Sequence, residues 1–246
     1  MRLFKNLTKN LRYQIEKYLD IEIKLINDDL YKNIETPNFH SINYLAKSKG
    51  VLHIGAHRGS ERYAYDWFGK SVIWIEANPV IFKELRKNLR EFRFQNCYQG
   101  LLHSKNNLIL DFFLSTNDQA SSSIYDFSKK FKEKKIFFQD KKRKIEMYDK
   151  IKLKTITLDN LISLQKLNLE NFNHWVVDVQ GAELEVLKGA KNSLKFCRSI
   201  TIEVSTENFY ENGSTYSSIK EYLNTLNFKV LVEPTRNHED IIFVTQ

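Results

Sequence analysis

The sequence predicts an α/β protein with a mostly parallel sheet and helices on both of its faces. Short apolar runs alternate with helical patterns from Val51 to Asn227, which is typical of strands that are buried on both faces. Two further apolar segments, FKVLVEP and DIIFVTQ, follow around a turn. This closing strand pair departs from the alternation, so we expect the last strand to run antiparallel.

The composition suits one large globular domain. The chain has 246 residues, of which 42% are hydrophobic and 28% are charged, and no apolar run approaches the roughly 18 residues of a transmembrane helix. Lys and Asn interrupt the apolar runs of the N-terminal segment, so we expect no signal peptide and a cytoplasmic protein. Cys97 and Cys197 lie far apart, which argues against a disulfide framework or a zinc site.

The first 48 residues are expected to form a helical segment that caps the core, with the main domain over residues 49–246. Apolar residues recur at i, i+4 spacing, which predicts an amphipathic helix over residues 2–19. A helix lying on a membrane surface is the alternative interpretation. The residues that carry this pattern are Leu3, Leu7, Leu11, Ile15 and Leu19.

The elements of the main domain follow from the same reading. The predicted strands, in order, are VLHIG, SVIWIEANP, NCYQGLLHS, NLILDFFLS, IKLKTIT, HWVVDV, SITIEVS and the closing pair. The predicted helices are SERYAYDWFG, PVIFKELRKNLREF with its first-turn proline, LDNLI, AELEVLKGAKNSLKFC and TYSSIKEYLNTLN.

A lysine-rich insertion lies at about residues 128–148. Its stretch KKFKEKKIFFQDKKRK has nine basic and two acidic residues and supplies most of the net charge of +8. A charge run of this kind usually marks a solvated surface segment. The alternative interpretation is a basic lid over an anionic acceptor, because Lys and Arg pair with phosphate.

A glycine-containing turn follows the first predicted strand. Ligands of open parallel sheets bind beyond the carboxyl ends of the strands, and Gly55 and Gly59 lie at such a turn in a chain with only eight glycines. Their G-x-x-x-G spacing lacks a glycine of the dinucleotide pattern. Glu76 ends the second strand, 21 residues after Gly55, where a carboxylate can bind a ribose. Together they favour an adenosine ligand without a pyrophosphate, S-adenosylmethionine rather than NAD.

Two more acidic residues end apolar strands. Asp178 closes HWVVD before a turn formed by Gln180 and Gly181, and Glu203 lies near the end of SITIEVS. We expect Asp178 to face the ligand cleft, although an Asp before a helix can also be an N-cap. For Glu203, a functional role and a structural ion pair are both open.

These segments together resemble the FkbM family of S-adenosylmethionine-dependent methyltransferases. The resemblance covers about residues 50–232 and is carried by VLHIGAHRGSE, VIWIEANP, DQASSSIYDF, LKTITLDNLI, VVDVQGAELEVLKGA and ITIEVSTENFYENG. It implies a Rossmann-like class I methyltransferase fold with seven strands, the last antiparallel. It also implies methylation of a hydroxyl, most often on a sugar, a glycan or a glycosylated metabolite.

The resemblance also implies roles for individual residues. Glu76 would bind the ribose, the glycine turn would hold the methionine part, Ser122 would lie near the adenine or the cleft mouth, and Asp178 would face the sulfonium and the acceptor. The cofactor-binding positions implied in this way are His53, Gly55, Ala56, Gly59, Glu76, Ala77, Asn78, Ser122 and Asp178.

Two positions depart from the family pattern. The family often has an acidic residue where His53 stands, and it commonly has Glu where Gln180 stands. A histidine cannot reproduce the attraction of a carboxylate for the amino group of the cofactor. If the missing Glu acted as a base, another group must replace it, and His57 beside the turn is a candidate.

The predicted catalytic residues are therefore Asp178, Glu203 and His57. An alcohol needs a positioned base, worth roughly 10²–10⁴-fold, or a metal that lowers its pKa. A divalent metal stays open, although the sequence contains no tight metal-ligand cluster. A nucleic-acid methyltransferase would suit the net charge, but no nucleic-acid-binding module is evident. A non-catalytic nucleotide-binding module would lose the acidic strand ends, which are present here.

Overall fold

The computed structural model describes residues 37–133 and 144–246. The strands, in chain order, are β1 (Gly50–Ile54), β2 (Ser71–Glu76), β3 (Gln95–Gln99), β4 (Leu101–Leu102), β5 (Ile109–Ser115), β6 (Met147–Ile156), β7 (His174–Val177), β8 (Ser199–Ser205), β9 (Phe228–Val230) and β10 (His238–Thr245). The helices are α1 (Pro37–Lys47), α2 (Arg62–Trp67), α3 (Pro79–Asn88), α4 (Lys129–Glu133), α5 (Leu158–Leu164), α6 (Glu183–Lys188) and α7 (Tyr216–Thr225).

The main sheet has seven strands in the order β3-β2-β1-β7-β8-β10-β9. The pairs among β3, β2, β1, β7 and β8 are parallel, whereas β10 runs antiparallel to both β8 and β9. This confirms the predicted seven-stranded α/β fold with an antiparallel last strand. Because the central strands are parallel, the carboxyl ends of β1, β2, β7 and β8 lie on one edge of the sheet.

Helices cover both faces of this sheet. On one face, Val51 and Trp74 pack with Leu85 of α3 and Leu45 of α1. On the other face, alternate residues of the same strands join apolar residues of α5, α6 and α7. These strands are buried on both sides, which explains why they read as continuous apolar runs.

A second, three-stranded sheet has the order β4-β6-β5, and the sequence analysis did not predict it. The predicted strand NCYQGLLHS is divided at Gly100, so that β3 joins the main sheet and β4 joins the second one. The long strand β6 pairs in parallel with β4 and antiparallel with β5. Many side chains of β6 are exposed, so the burial pattern does not identify its neighbours.

The predicted helix over AELEVLKGAKNSLKFC is also shorter than expected. The helix α6 ends at Lys188, and a separate 3₁₀ turn follows at Leu194–Phe196. At Gly189 the chain passes close to the next layer, since a Cβ there would lie 2.3 Å from the carbonyl oxygen of His103. This close approach accounts for a glycine at the helix end.

The predicted amphipathic helix over residues 2–19 and residues 134–143 of the lysine-rich insertion lie outside the described residues. The preceding part of the insertion forms α4, where Lys130 pairs with Glu207 at 2.9 Å and Lys132 with Asp126 at 2.7 Å. Among the residues that the structure describes, no helix is both long and apolar enough to span a membrane.

Candidate active site

A cavity of about 240 Å³ opens at the carboxyl edge of the main sheet. Its walls come from the turn after β1, the end of β2, the loop after β5 and the turn after β7. Most of the predicted site residues line it, namely His53, Gly55, Ala56, His57, Glu76, Ala77, Asn78, Ser122 and Asp178.

Contacts within the protein require glycine at two positions of the turn after β1. Gly55 has a φ of +86°, and a Cβ there would lie 1.6 Å from the carbonyl oxygen of Asp178. Gly59 has a φ of +68°, and its Cβ would lie 2.7 Å from a methyl group of Leu85. The two glycines therefore let the turn pack against β7 and α3. Gly55 faces the cavity, whereas Gly59 lies behind the turn.

The carboxyl group of Glu76 is held by the backbone. One oxygen accepts the His57 N–H at 2.8 Å and the other accepts the Asn78 N–H at 2.7 Å. Burial raises the pKa of Glu76 to about 7, against the opposing effect of these hydrogen bonds. Each oxygen retains a lone pair with which it can accept a hydroxyl from the cavity.

Asn78 connects this carboxyl group to the loop after β5. Its side-chain oxygen caps α3 by accepting the Val80 N–H at 3.0 Å, and its side-chain nitrogen donates to Gln119 Oε1 at 2.5 Å. Ser122 lies on the same loop and accepts the Ser115 N–H at 3.1 Å. The loop thereby forms one wall of the cavity, and the sequence analysis did not single out Gln119.

A bidentate ion pair fastens this loop to the glycine turn. Arg58 donates to both carboxylate oxygens of Asp118, at 2.7 and 3.0 Å, and it also pairs with Glu84 at 2.5 Å. The ring of His57 contacts the Asp118 carbonyl oxygen at 3.0 Å. His57 therefore lines the cavity beside Glu76, with its ring nitrogen engaged at the loop, and its catalytic role stays a prediction.

His53 lies in the cavity wall as a neutral ring. Burial lowers the pKa of His53 to about 3, its Nδ1 contacts the Tyr65 hydroxyl at 2.9 Å, and the ring stacks on Trp74. An acidic group lines the same cavity at Glu61, which the sequence analysis missed. Burial raises the pKa of Glu61 to about 7. A carboxyl group therefore lines the cavity close to the histidine at position 53.

Asp178 and Glu203 are brought together by the side chain of Gln180. The amide nitrogen of Gln180 donates to Asp178 Oδ1 and to Glu203 Oε2, at 2.6 Å in both cases. Its amide oxygen accepts the Tyr210 hydroxyl at 2.6 Å, so the orientation of the amide follows from its partners. Asp178 lines the cavity, and Glu203 lies behind it.

Burial is the main cause of the raised pKa values of these two carboxyl groups. It raises the pKa of Asp178 well above its ordinary value, and the nearby Glu203 and Asp240 carboxyl groups raise it further. The pKa of Glu203 is raised for the same reasons, burial and then Asp240. A carboxyl group with a raised pKa is suited to act as a base near neutral pH.

Two aromatic residues of this network were missed by the sequence analysis. Tyr210 packs its ring on Gly181, where a Cβ would lie 2.8 Å from the ring, and Gly181 has a φ of +96°. His238 begins β10 and contacts Glu203 Oε1 at 2.9 Å. The only sequence signal for Tyr210 was its place in the family-like segment ENFYENG, and His238 gave none.

No metal centre accompanies these acidic groups in residues 37–133 and 144–246, where no cluster of three or more His, Cys, Asp or Glu side chains is arranged to hold a metal ion.

Comparison with known proteins gives one family match. The family model described as "Methyltransferase FkbM domain" matches residues 53–230, and no curated protein matches the chain. Among solved structures, the chain is similar to Aeropyrum pernix fibrillarin in complex with S-adenosyl-L-methionine, at 13% identity and a TM-score of 0.45, over 86% of this chain and 70% of that chain.

Two further solved structures are similar at comparable levels. Magnesium protoporphyrin IX methyltransferase from Synechocystis shares 8% identity at a TM-score of 0.42, over 96% of this chain and 91% of that chain. A putative RNA methyltransferase from Pyrococcus horikoshii shares 10% identity at a TM-score of 0.42, over 95% of this chain and 96% of that chain.

Proposed function

This chain belongs to the FkbM family of S-adenosylmethionine-dependent methyltransferases, and we propose that its acceptor group is a hydroxyl of a sugar, a glycan or a glycosylated metabolite. The observation that carries the proposal is Asp178. Its partly buried carboxyl group lines the cavity, and desolvation raises its pKa. A neutral alcohol needs such a base when it attacks a methyl group, because its own pKa is far above neutral.

The cavity offers groups that fit S-adenosylmethionine. Glu76 would accept the hydroxyls of the ribose, and Asn78 and Ser122 would lie on the adenosine side. Gly55 and Ala56 would approach the methionine part. The carboxyl groups of Glu61 and Asp178 would complement its two positive charges, the ammonium and the sulfonium.

Glu61 takes the place of the acidic residue that the family often carries at position 53. The neutral ring of His53 keeps the wall of the cavity packed through Trp74 and Tyr65. The carboxylate that receives the ammonium would then come from the beginning of α2 rather than from β1. When bound, the cofactor supplies the electrophilic methyl carbon; the protein supplies alignment and electrostatics.

The acceptor class is tested by labelling. The protein is incubated with S-adenosylmethionine carrying a labelled methyl group and with nucleotide-sugars, glycans and RNA in separate reactions. We expect the label in a sugar-bearing acceptor, and loss of labelling in Asp178→Asn. Asp149→Asn removes an exposed carboxylate from β6 and serves as the matched control. Labelling of RNA alone would replace the hydroxyl-of-sugar proposal with nucleic-acid methylation.

The lysine-rich insertion bears on the acceptor in the same experiment. If it covers an anionic acceptor, the apparent affinity for that acceptor falls with ionic strength, since exposed charges are screened within roughly 8 Å at physiological salt. Replacing Lys141, Lys142, Arg143 and Lys144 by Ser would then raise the Michaelis constant of the acceptor. An unchanged constant in both tests would assign the insertion to the solvated surface.

A further inference from the structure

Tyr210 is buried beside Gln180, a residue of the cavity wall. The Tyr210 hydroxyl has one hydrogen to donate. It lies 2.6 Å from Gln180 Oε1, and its other acceptor, the carbonyl oxygen of Ser121, lies at 3.3 Å. The amide oxygen of Gln180 is therefore the end that faces Tyr210, and the amide nitrogen is the end that faces the carboxyl groups of Asp178 and Glu203.

We propose that Tyr210 is a positioning residue for the recognition of S-adenosylmethionine: its hydroxyl fixes the Gln180 amide, and the amide fixes the Asp178 carboxyl group beside the sulfonium. This role rests on the proposed function, which places the sulfonium next to Asp178. Tyr210 touches neither the cofactor nor the acceptor, and it acts through Gln180.

The Gln180 amide has two N–H groups for two carboxyl partners. Its nitrogen lies 2.6 Å from Asp178 Oδ1 and 2.6 Å from Glu203 Oε2, and a carboxylate can only accept. An amide turned the other way round would present its oxygen to both carboxyl groups and its nitrogen to Tyr210. Burial raises the pKa of Asp178, and the hydrogen bond from Gln180 opposes that rise. The observed orientation thus favours the negative charge that attracts a sulfonium.

The backbone of Gln180 sets the point from which this amide starts. Gln180 has a φ of +56° and the following Gly181 a φ of +96°. A left-handed conformation is uncommon for a residue other than glycine, and it persists where the surrounding structure holds it. Here the Ser123 hydroxyl donates to the Gln180 carbonyl oxygen at 2.7 Å. The backbone is thus held in place, and the direction of the amide is left to its side-chain partners.

The ring of Tyr210 is held independently of its hydroxyl. It packs against two glycines, since an added Cβ would lie 2.8 Å from the ring at Gly181 and 2.9 Å from the Tyr210 Cβ at Gly213. On another side, Phe127 forms a β-bridge with Tyr210, and the two ring centroids lie 5.3 Å apart. Tyr210→Phe should therefore keep the packing. It removes the donor of Gln180 Oε1, and with it the contact that opposes rotation of the amide.

The relative affinity for S-adenosylmethionine and S-adenosylhomocysteine tests this role without an acceptor. The two ligands differ by the methyl group and its positive charge, and calorimetry on the full chain gives both dissociation constants. We expect Tyr210→Phe to lower the preference for S-adenosylmethionine by about 2- to 12-fold, the change that corresponds to the net contribution of one hydrogen bond. Affinity for S-adenosylhomocysteine should stay close to the wild-type value. A purely structural defect would weaken both ligands together and leave their ratio unchanged.

Tyr222→Phe is the matched control. It removes a partly buried hydroxyl that donates to the Leu187 carbonyl oxygen at 3.4 Å, on α7 and away from Gln180. Its ratio of affinities should equal that of the wild type.

A double variant tests whether Tyr210 acts through Gln180. Gln180→Met removes the amide and keeps a side chain of similar length. In that background, Tyr210→Phe should cause no further change in the ratio of affinities, because the group that it positions is already absent. Gln180→Asn is the second variant. It tolerates the left-handed backbone, but its shorter side chain cannot reproduce all the contacts of Gln180. Binding of S-adenosylhomocysteine checks that each variant is folded.

The outcomes separate this inference from the proposed function. If S-adenosylmethionine does not bind the wild type, or if Asp178→Asn leaves the ratio of affinities unchanged, the placement of the sulfonium fails and this inference fails with it. If Asp178→Asn lowers the ratio but Tyr210→Phe does not, only the role of Tyr210 is overturned. The same holds if Tyr210→Phe lowers the ratio by its full factor in the Gln180→Met or Gln180→Asn background.

Discussion

The half of the cavity formed by the ends of β1 and β2 differs from the half formed by the turn after β7, behind which β8 and β10 lie, in how the carboxyl groups are held. Glu76 is fixed by two backbone N–H groups from residues within 19 positions of it. Asp178 and Glu203 are fixed by the side chains of Gln180 and His238. The first arrangement involves residues within 19 positions of one another, whereas the second joins residues from three separate segments.

This difference predicts where the effects of two substitutions on stability should be independent and where they should be coupled. A backbone donor stays in place when a neighbouring side chain is changed, so a change at Glu76 acts on its own ligand. In the second half, each side chain orients the next one. A change at one member therefore alters the geometry and the charge of the others.

The largest expected effect is at Asp178. Asp178→Asn keeps the shape and removes the base, so turnover should fall by about 10²–10⁴-fold. Binding of S-adenosylhomocysteine should change little, because that product carries no sulfonium. The measurement is methyl transfer to the acceptor found by labelling, together with calorimetry of the product. Near-normal turnover would move the catalytic role to Glu203 or His57.

The next effect is a pH dependence of stability that belongs to Glu76. The pKa of Glu76 in the folded protein is raised to about 7. The contribution of Glu76 to the free energy of unfolding is therefore fully present below the pKa of Glu76 in the unfolded chain, and it is lost as the pH rises through 7. The loss is on the order of 3 kcal/mol at most. In the ligand-free protein, Glu76→Gln should therefore gain stability relative to the wild type between pH 5 and pH 8, by chemical denaturation. A constant difference across this range would contradict the raised pKa.

A comparable or smaller effect is expected on cofactor affinity. Glu76→Ala should weaken binding of S-adenosylmethionine by about 1–3 kcal/mol, because a hydrogen-bond partner of the ribose is lost. Calorimetry measures this change, and Glu91→Ala removes an exposed carboxylate near the end of α3 as a control. Equal losses of affinity in both variants would mean that Glu76 does not contact the ligand.

The smallest effect tests the coupling itself. Tyr210→Phe removes the hydroxyl that donates a hydrogen bond to the side-chain oxygen of Gln180. Glu203→Gln changes the carboxylate that accepts a hydrogen bond from the side-chain nitrogen of Gln180. Their effects on unfolding free energy should be non-additive by about 1 kcal/mol. The pair Tyr210→Phe and Glu76→Gln, one residue from each half, should be additive within about 0.5 kcal/mol. Additivity in both double variants would remove the distinction between the two halves.

The two halves also differ in how far the sequence predicts them. Glu76 and Asp178 each end a continuous apolar run, and the carboxyl end of a parallel strand is where a ligand meets the sheet. Both were therefore identified from the sequence, as was the sheet that carries them. Glu61, Tyr210 and His238 follow no apolar run and enter the site through turns and through an antiparallel strand. Their positions depend on tertiary contacts, which a pattern along the chain does not contain.

The sequence does not predict that β4, β5 and β6 form a second sheet, for a related reason. β5 and β6 have the composition of strands, and both were predicted as such. Their partners are decided by the division at Gly100, where the chain leaves the main sheet. A period-two pattern indicates a strand and its faces, but it does not indicate the sheet to which the strand belongs.

The position of β10 between β8 and β9 has a consequence for the order in which the protein can be assembled on the ribosome. The pairing of β9 in the main sheet is with β10, and β10 is synthesised after both of its neighbours. The strands β3, β2, β1, β7 and β8 can pair as the chain emerges, while β9 must wait for residues 238–245. Because those residues begin with His238, the contact of His238 with Glu203 is formed in the same late event that completes the sheet.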